Sequence, residues 1–194
     1  MGTRIERRMS VTYFKRYRMA IDLRRADLPR AELGDHIEFV PWQVDLLEKH
    51  ADVKCRSFQF ELDSTIFPCL GEHDGCRRLM EEIISRNGFL PGATWLAVCS
   101  RPEDAIVDYC GTIQGIRSRT GTGNIQNIGI TPDYRRQGIG TELLRHALCG
   151  FQRAGVKKVF LEVTAQNSGA VRLYQRLGFS HVRTLYKSVE VAYT

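Results

Sequence analysis

The chain contains the segment Ile128-Gly129-Ile130-Thr131-Pro132-Asp133-Tyr134-Arg135-Arg136-Gln137-Gly138-Ile139-Gly140-Thr141-Glu142-Leu143-Leu144, around which the remaining patterns are arranged. It begins as a short apolar strand, turns at a proline, passes through a basic loop and continues as a helix. Gly138 and Gly140 carry no Cβ, so the loop can turn tightly and expose successive backbone N–H groups. Those donors and the positive end of the helix form a site for phosphate or pyrophosphate. The guanidinium groups of Arg135 and Arg136 suit phosphate geometry.

The segment departs from two common phosphate-binding motifs. Its two glycines do not complete the dinucleotide fingerprint G-x-G-x-x-G, because position 143 is Leu. It is not a Walker A loop either, since no Gly-Lys-Ser/Thr follows. For this segment taken alone, a plain strand–turn–helix with incidental arginines stays an alternative.

A second segment is Val159-Phe160-Leu161-Glu162-Val163-Thr164-Ala165-Gln166-Asn167-Ser168-Gly169-Ala170-Val171-Arg172-Leu173-Tyr174-Gln175-Arg176-Leu177-Gly178-Phe179. Together the two segments resemble the GNAT superfamily of acyl-CoA N-acyltransferases. Residues 135–140 are similar to the family's pyrophosphate motif, Arg/Gln-x-x-Gly-x-Gly/Ala, with Pro132 and Tyr134 upstream. The second segment is similar to the companion motif, Asn-x-x-Ala-x-x-Leu-Tyr-x-x-x-Gly-Phe. The motifs occur in the family's order, and the resemblance covers Trp95 to Phe179.

The resemblance implies an α+β (mixed α/β) GNAT fold. Its centre would be a twisted, mostly antiparallel sheet of about seven strands, splayed between the fourth and fifth strands and flanked by about four helices. In this fold the strand before the phosphate loop and the strand after its helix diverge. A length of 194 residues fits a single domain over residues 1–194. Residues 1–17 are basic and are interpreted as a flexible arm.

Hydrophobic spacing predicts the elements around these motifs. One predicted helix has an apolar face formed by Cys76, Leu79, Met80, Ile83 and Ile84, and another by Leu143, Leu144, Ala147, Leu148 and Phe151. Strands are predicted at 19–24, 37–40, 95–99, 109–117, 124–131 and 156–163, helices at 42–53, 141–153 and 167–177, and one or two closing strands in 180–194. Residues 54–71 fit no single pattern, although we expect apolar contacts for Phe58, Phe60, Leu62, Ile66 and Phe67.

The cofactor implied by the resemblance is acetyl-CoA. Ile128, Gly129 and Ile130 would offer backbone groups to pantetheine in the manner of an added strand. The pyrophosphate would be held by Arg135, Arg136, Gln137, Gly138, Ile139, Gly140 and Thr141. The second segment would contribute Asn167, Ala170 and Tyr174, and Asn167 has the helix N-cap as an alternative role.

The reaction implied by the resemblance is direct attack of a primary amine on the thioester carbonyl in a ternary complex. An alkylamine has a pKa of about 10.4, so it arrives mostly protonated and a base must take its proton. The leaving thiolate must receive a proton, and Tyr174 matches the family tyrosine that supplies it. Packing in the core is the alternative role for Tyr174.

The candidate base is Glu162, twelve residues before Tyr174. This spacing is similar to that of the ribosomal-protein N-terminal acetyltransferases, in which the corresponding Glu is the base. Partial burial between Phe160 and Val163 would raise the pKa of its carboxyl group. A structural Glu162 is an alternative, and so is a water-mediated base.

Composition narrows the function classes. The chain is 43% hydrophobic and 26% charged, which is ordinary for a globular protein, and no apolar run approaches the roughly 18 residues of a membrane span. The N-terminus lacks a secretory pattern, so we expect a cytoplasmic protein without a membrane partner.

The net charge of +6 lies in residues 1–30, which contain nine basic and three acidic residues. A nucleic-acid-binding arm is an alternative use of this charge, but it has no recognised motif, so we expect no nucleic-acid partner.

The sequence therefore predicts an N-acetyltransferase that transfers an acetyl or other acyl group from acetyl-CoA to a primary amine of a small molecule or peptide. A homodimer is compatible with this assignment. We expect no metal site, because the six cysteines and five histidines show no ligand spacing. The alternative is a non-catalytic acyl-CoA-binding or sensor module of the same fold. Residues 36–90 are expected to build much of the acceptor pocket.

Overall fold

The computed structural model describes residues 8–101 and 106–193 of the chain. In that part, one sheet contains the strands β1 (Arg8–Asp22), β2 (Ile37–Pro41), β3 (Trp95–Arg101), β4 (Ile106–Arg117), β5 (Gly123–Ile130), β6 (Lys158–Thr164) and β7 (Ser180–Tyr193). The α-helices are α1 (Leu47–Phe58), α2 (Leu62–Ile66), α3 (His73–Ser85), α4 (Ile139–Arg153) and α5 (Ser168–Arg176). The seven strands agree with the expected sheet, and the short α2 brings the helices to five. None of the described helices has the length and apolar content needed to cross a membrane.

The sheet opens between β5 and β6. The strand order is β2-β3-β4-β5-β6-β1-β7, and the β5–β6 pair is parallel, whereas the other neighbouring pairs are antiparallel. Only Gly123 pairs with Val159 and Asn124 with Phe160 before the two strands diverge. β5 and β6 are the fourth and fifth strands counted across the sheet, as expected, although they are fifth and sixth along the chain. They are also the strand before the phosphate loop and the strand after its helix.

Helices cover both faces of the sheet and hold the opening in place. The buried side of α4 packs in the main core together with Tyr174 from α5, and its predicted apolar residues Leu143, Leu144, Ala147, Leu148 and Phe151 are fully buried. On the other face, α1 and α3 form a second cluster that includes Ala51, Cys76, Met80 and Ile83. Burial of these apolar faces is the main force that fixes the helices on the sheet.

The first strand differs from the prediction. β1 runs over Arg8–Asp22 instead of 19–24, so residues 8–17 of the expected flexible arm belong to the sheet. Met1 to Arg7 lie outside the described residues. β1 pairs with β6 on one side and β7 on the other, so it is an interior strand. The interpretation as an arm rested on basic residues such as Arg16 and Arg18. In the fold these two residues line the cavity at the opening in the sheet, where polar groups are tolerated.

The ambiguous stretch 54–71 contains the end of α1, the short helix α2 and a 3-10 turn. Ile66 is buried and Phe67 packs against the second cluster. Phe60 is 89% exposed, so the expectation that it contacts apolar groups was wrong. It lies in the turn after α1, where helix spacing no longer directs it toward the sheet.

A buried lysine connects α1 to the open edge of β5. Lys54 is fully buried, and its Nζ donates a hydrogen bond of 3.1 Å to Oδ1 of Asn127. Burial disfavours the charged form and lowers the pKa of the Lys54 ammonium group from 10.5 to about 7. This contact holds α1 against the part of β5 that has no partner in β6.

The lysine should make the folded state sensitive to pH. In the unfolded chain Lys54 keeps its proton up to about pH 10.5, whereas the folded chain releases it near pH 7, so the penalty on folding is full below pH 7 and fades as the pH rises. We expect the free energy of unfolding of the natural chain to increase relative to that of Lys54→Met between about pH 6 and pH 10. Denaturant titrations measure both values, with Lys49→Met on the exposed side of α1 as the control. A difference between the natural chain and Lys54→Met that does not change with pH would contradict the assignment.

Candidate active site

Three adjoining cavities run through the opening between β5 and β6. The loop-side cavity, of about 520 Å³, is lined by the phosphate loop, α5 and the end of α1. The central cavity, of about 100 Å³, shares Asp63 and Tyr174 with it. The far-side cavity, of about 380 Å³, is lined by Arg16, Arg18 and Glu162 among others, and it shares Arg16 and Glu162 with the central cavity. Because neighbouring cavities share lining residues, they form one cleft along the diverging strands.

The phosphate loop presents free backbone donors to the loop-side cavity. The N–H groups of residues 136–141 donate to no acceptor within the described part of the chain. Arg136 has a φ of 62° and Gly138 a φ of 86°, so both adopt the left-handed region that turns successive N–H groups to one side. The N–H of Arg135 instead donates to the carbonyl of Pro132. The donors and the N-terminus of α4 suit an anion.

Most of the predicted cofactor-binding residues meet at the loop-side cavity. Its lining includes Ile128, Gly129, Ile130, Arg135, Arg136, Gly138, Gly140, Thr141, Asn167, Ala170 and Tyr174. The side chains of Gln137 and Ile139 lie elsewhere, because Gln137 donates to the carbonyl of Asp133 and Ile139 is buried in the main core. These two residues can contribute through their backbone N–H groups alone.

Arg135 forms a bridge that the sequence did not predict. Its guanidinium group donates to the carboxylate of Glu61 at 2.6 Å and to the carbonyl of Ser57 at 3.0 Å. Its Nε also donates to the carbonyl of Ile130 at 3.1 Å. Arg135 thus ties the phosphate loop to the segment after α1, and it occupies one of the β5 carbonyls expected to face pantetheine.

The open edge of β5 is left available by the divergence of the strands. Beyond Asn124, the described residues of β5 pair with β4 and have no partner in β6. A Cβ at position 129 would lie only 2.7 Å from the Cβ of Ser57. Because Gly129 has none, α1 can pack closely over this edge. An extended ligand can therefore add to β5 beneath the end of α1.

Tyr174 lies in α5 between the loop-side and central cavities. It is buried and packs edge-to-face against Phe179, with ring centroids 5.9 Å apart. Burial raises the pKa of the Tyr174 hydroxyl above its ordinary value, and the charge of Asp63 raises it further. The hydroxyl of Tyr174 therefore keeps its proton at neutral pH. Asn167 holds the start of the same helix, because its Oδ1 accepts a hydrogen bond of 3.0 Å from the N–H of Ala170.

Glu162 lies in β6 and borders the central and far-side cavities. Its side chain is 43% exposed, so it is partly buried and partly open to solvent. The cleft brings it into the same cavity as Tyr174, as the spacing of the two residues predicts.

A polar cluster beside Tyr174 was missed by the sequence reasoning. Arg16 in β1 donates to Oγ1 of Thr164 at 3.0 Å and lies 3.4 Å from a carboxylate oxygen of Asp63. The hydroxyl of Thr164 donates to the same Asp63 oxygen at 2.8 Å. Nε of Arg16 lies 4.0 Å from Glu162. The alternation Arg16-Tyr17-Arg18 before the buried Met19 was the available signal for a strand with a basic face.

Comparisons with known proteins agree with the fold. Residues 60–179 match the family model described as the Acetyltransferase (GNAT) family. The chain is 46% identical over 54 residues to the ribosomal protein bS18-alanine N-acetyltransferase of Escherichia coli, which covers 28% of this chain and 36% of that protein. It is 39% identical over 75 residues to the N-alpha-acetyltransferase of Sulfurisphaera tokodaii, which covers 37% of this chain and 45% of that protein. The chain thus spans about a third of the first relative and under half of the second.

Solved structures with low sequence identity share the fold. The GCN5-related N-acetyltransferase from Sphaerobacter thermophilus has a TM-score of 0.69 at 23% identity, covering 92% of this chain and 51% of that one. An aminoglycoside N-acetyltransferase in complex with CoA has a TM-score of 0.58 at 15% identity, covering 77% of this chain and 91% of that one.

The geometry of Gly138 predicts a specific loss of ligand affinity. In Gly138→Ala the residue would sit at a φ of 86°, which costs about 1–2 kcal/mol, and its Cβ would lie 3.1 Å from Ala31 and Leu33. Relief of this contact would displace the free N–H groups, so we expect CoA affinity measured by calorimetry to fall about tenfold or more.

Gly155→Ala is the matched control for this substitution. Gly155 has a φ of 73°, and a Cβ there would meet open space at the far end of α4. It carries the same backbone cost outside the cleft, so CoA affinity should be retained. Equal CoA affinity in the two variants would show that the loop amides do not bind the diphosphate.

Proposed function

This chain belongs to the GNAT acetyltransferase family, and we propose that it transfers an acetyl group from acetyl-CoA to a primary amine of a small molecule or peptide. The observation that carries the proposal is a row of free loop N–H groups at one end of a cleft that leads to Tyr174 and Glu162. An acyl donor and an amine could then enter from opposite ends of the cleft and meet beside Tyr174 and Glu162.

The residues of the loop-side cavity fit CoA. The N–H groups of residues 136–141 would hold the diphosphate, assisted by the charge of Arg136. The open edge of β5 at Ile128 and Gly129 would bind pantetheine through its backbone. Bound there, acetyl-CoA supplies an acetyl group activated as a thioester.

Tyr174 is proposed as the proton donor to the leaving thiolate. Its hydroxyl borders the loop-side and central cavities, and burial keeps it protonated through the neutral range. Only the protonated hydroxyl can give a proton to the thiolate, and this is the form that Tyr174 keeps at neutral pH.

Glu162 is proposed as the proton acceptor for the incoming ammonium group. Its carboxylate faces the far-side cavity and is partly open to solvent, so a proton can pass from the amine to bulk water. Removal of this proton is the condition for attack, because the amine is nucleophilic only in its neutral form.

Tyr174→Phe removes the proposed acid without removing the aromatic ring. We expect kcat to fall by about 100-fold while CoA affinity stays nearly unchanged, because the ring still packs against Phe179. Thiol release gives the rate and calorimetry the affinity, with Tyr186→Phe on the exposed side of β7 as the control. Undiminished turnover would exclude Tyr174 from the chemistry.

Glu162→Gln tests the base through its pH dependence. The variant should be much slower than the natural chain near neutral pH, and the gap should close as the pH approaches about 10, where the acceptor supplies its own free amine. Glu190→Gln on the exposed part of β7 is the matched control. A loss of rate that is the same at every pH would indicate a structural role for Glu162.

The same thiol-release assay separates an enzyme from a binding module. Release that depends on an added amine supports the transferase. Tight CoA binding without release, across a panel of small amines and peptides, would support a non-catalytic acyl-CoA-binding protein instead.

A further inference from the structure

Arg18 is a cation without a carboxylate partner on the wall of the far-side cavity. Its guanidinium carbon lies 4.6 Å from the centroid of the Phe160 ring, and the side chain is half-buried. Within the described residues, no carboxylate oxygen lies within 4.0 Å of it. A guanidinium group placed over an aromatic ring can keep its N–H donors available and is well suited to bind a carboxylate in a fork geometry.

The neighbouring charges leave this position positive. In the backbone register of the sheet, Arg18 lies opposite Glu162 of β6 on one side and opposite Arg183 of β7 on the other. Nζ of Lys158 lies 5.2 Å from the centroid of the same Phe160 ring. Of the nearby carboxylates, Glu162 approaches Arg16 and Asp22 is paired with Arg24. The mouth of the cavity therefore has an excess of positive charge.

Arg16 cannot take the same role. Its guanidinium group already contacts Asp63 and Thr164 and lies near Glu162. Arg18, two residues further along the same face of β1, makes no such contact with any described residue. The two arginines thus differ: one is engaged within the protein, and the other is available to a ligand.

The cavity offers complementary partners for a molecule with charges of both signs. Glu162 can attract an ammonium group, and Arg18 lies directly across the strand pair from it. Opposed residues in neighbouring strands have Cβ atoms about 4.5–5.5 Å apart. A carboxylate a few bonds from the amine would therefore reach Arg18 while the amine lies at Glu162.

We propose that the far-side cavity takes a primary amine that carries a carboxylate, and that Arg18 binds this carboxylate and so determines specificity. This inference rests on the proposed function, since it assigns the acceptor of the same cleft. The carboxylate belongs either to a small amino acid or to an acidic residue near the N-terminus of a peptide.

The experiment compares acceptors that differ only in a carboxylate and a carboxamide. One arm uses β-alanine and β-alaninamide, and the other uses two peptides that begin with Ala-Asp and Ala-Asn. The natural chain should show a kcat/KM at least about tenfold higher for the acidic member in one of the arms. The arm that shows the preference identifies the source of the carboxylate.

Arg18→Gln should bring the acid-to-amide ratio of kcat/KM close to one through a rise in KM for the acidic acceptor. Arg18→Lys should keep part of the preference, because it retains the charge and loses the fork. Arg183→Gln is the matched control: it removes one exposed cation beside Arg18 that does not line the cavity, and the ratio should stay as in the natural chain. Calorimetry of the acidic acceptor with CoA-saturated protein should show the same order of affinities.

The outcomes are distinguishable. Turnover of amines without a preference for the acidic members, or a preference that survives in Arg18→Gln, would overturn the assignment of Arg18 and leave the transferase intact. An equal fall in the acid-to-amide ratio of kcat/KM in the Arg183→Gln control would also overturn it. The preference would then come from the general positive charge of the surface. Absence of turnover with every amine would overturn the transferase, and this inference with it.

Discussion

The divergence of β5 and β6 after two residue pairs is the constraint on which the site depends. If the two strands stayed paired, the backbone groups of β5 would bond to β6 and the three cavities would close. The opening is held by elements on both faces: α4 and α5 pack in the main core, and α1 lies over the free edge of β5. Lys54 and Arg135 attach α1 and the segment after it to that edge.

The opening also explains how one cleft can serve two substrates of different character. At one end of the cleft, backbone N–H groups and a helix N-terminus offer a site for a highly charged anion. At the other end, Arg18 and Glu162 offer charges of both signs at short range. Tyr174 and the Asp63–Arg16–Thr164 cluster occupy the junction. Each group is supplied by a different element, so the site exists only in the assembled sheet.

The sequence predicted the parts of the site whose backbone conformation is set locally. Gly138 adopts the left-handed conformation that its motif requires, and Asn167 caps α5 through its own side chain. The sequence did not predict Asp63 or the length of β1. Asp63 acquires its role through Arg16, 47 residues away, and the arginines of β1 face a cleft that a linear pattern cannot distinguish from solvent. Arg135 lines the loop-side cavity, and its contact with Glu61 was not predicted because the fold alone brings the segment after α1 beside the loop.

A crystal structure of the chain with CoA tests the central claim most directly. The account predicts diphosphate oxygens within hydrogen-bond distance of the N–H groups of residues 136–141, with pantetheine lying along β5 toward Tyr174. CoA bound away from the loop, or β5 and β6 paired beyond Asn124 with the cleft closed, would contradict it.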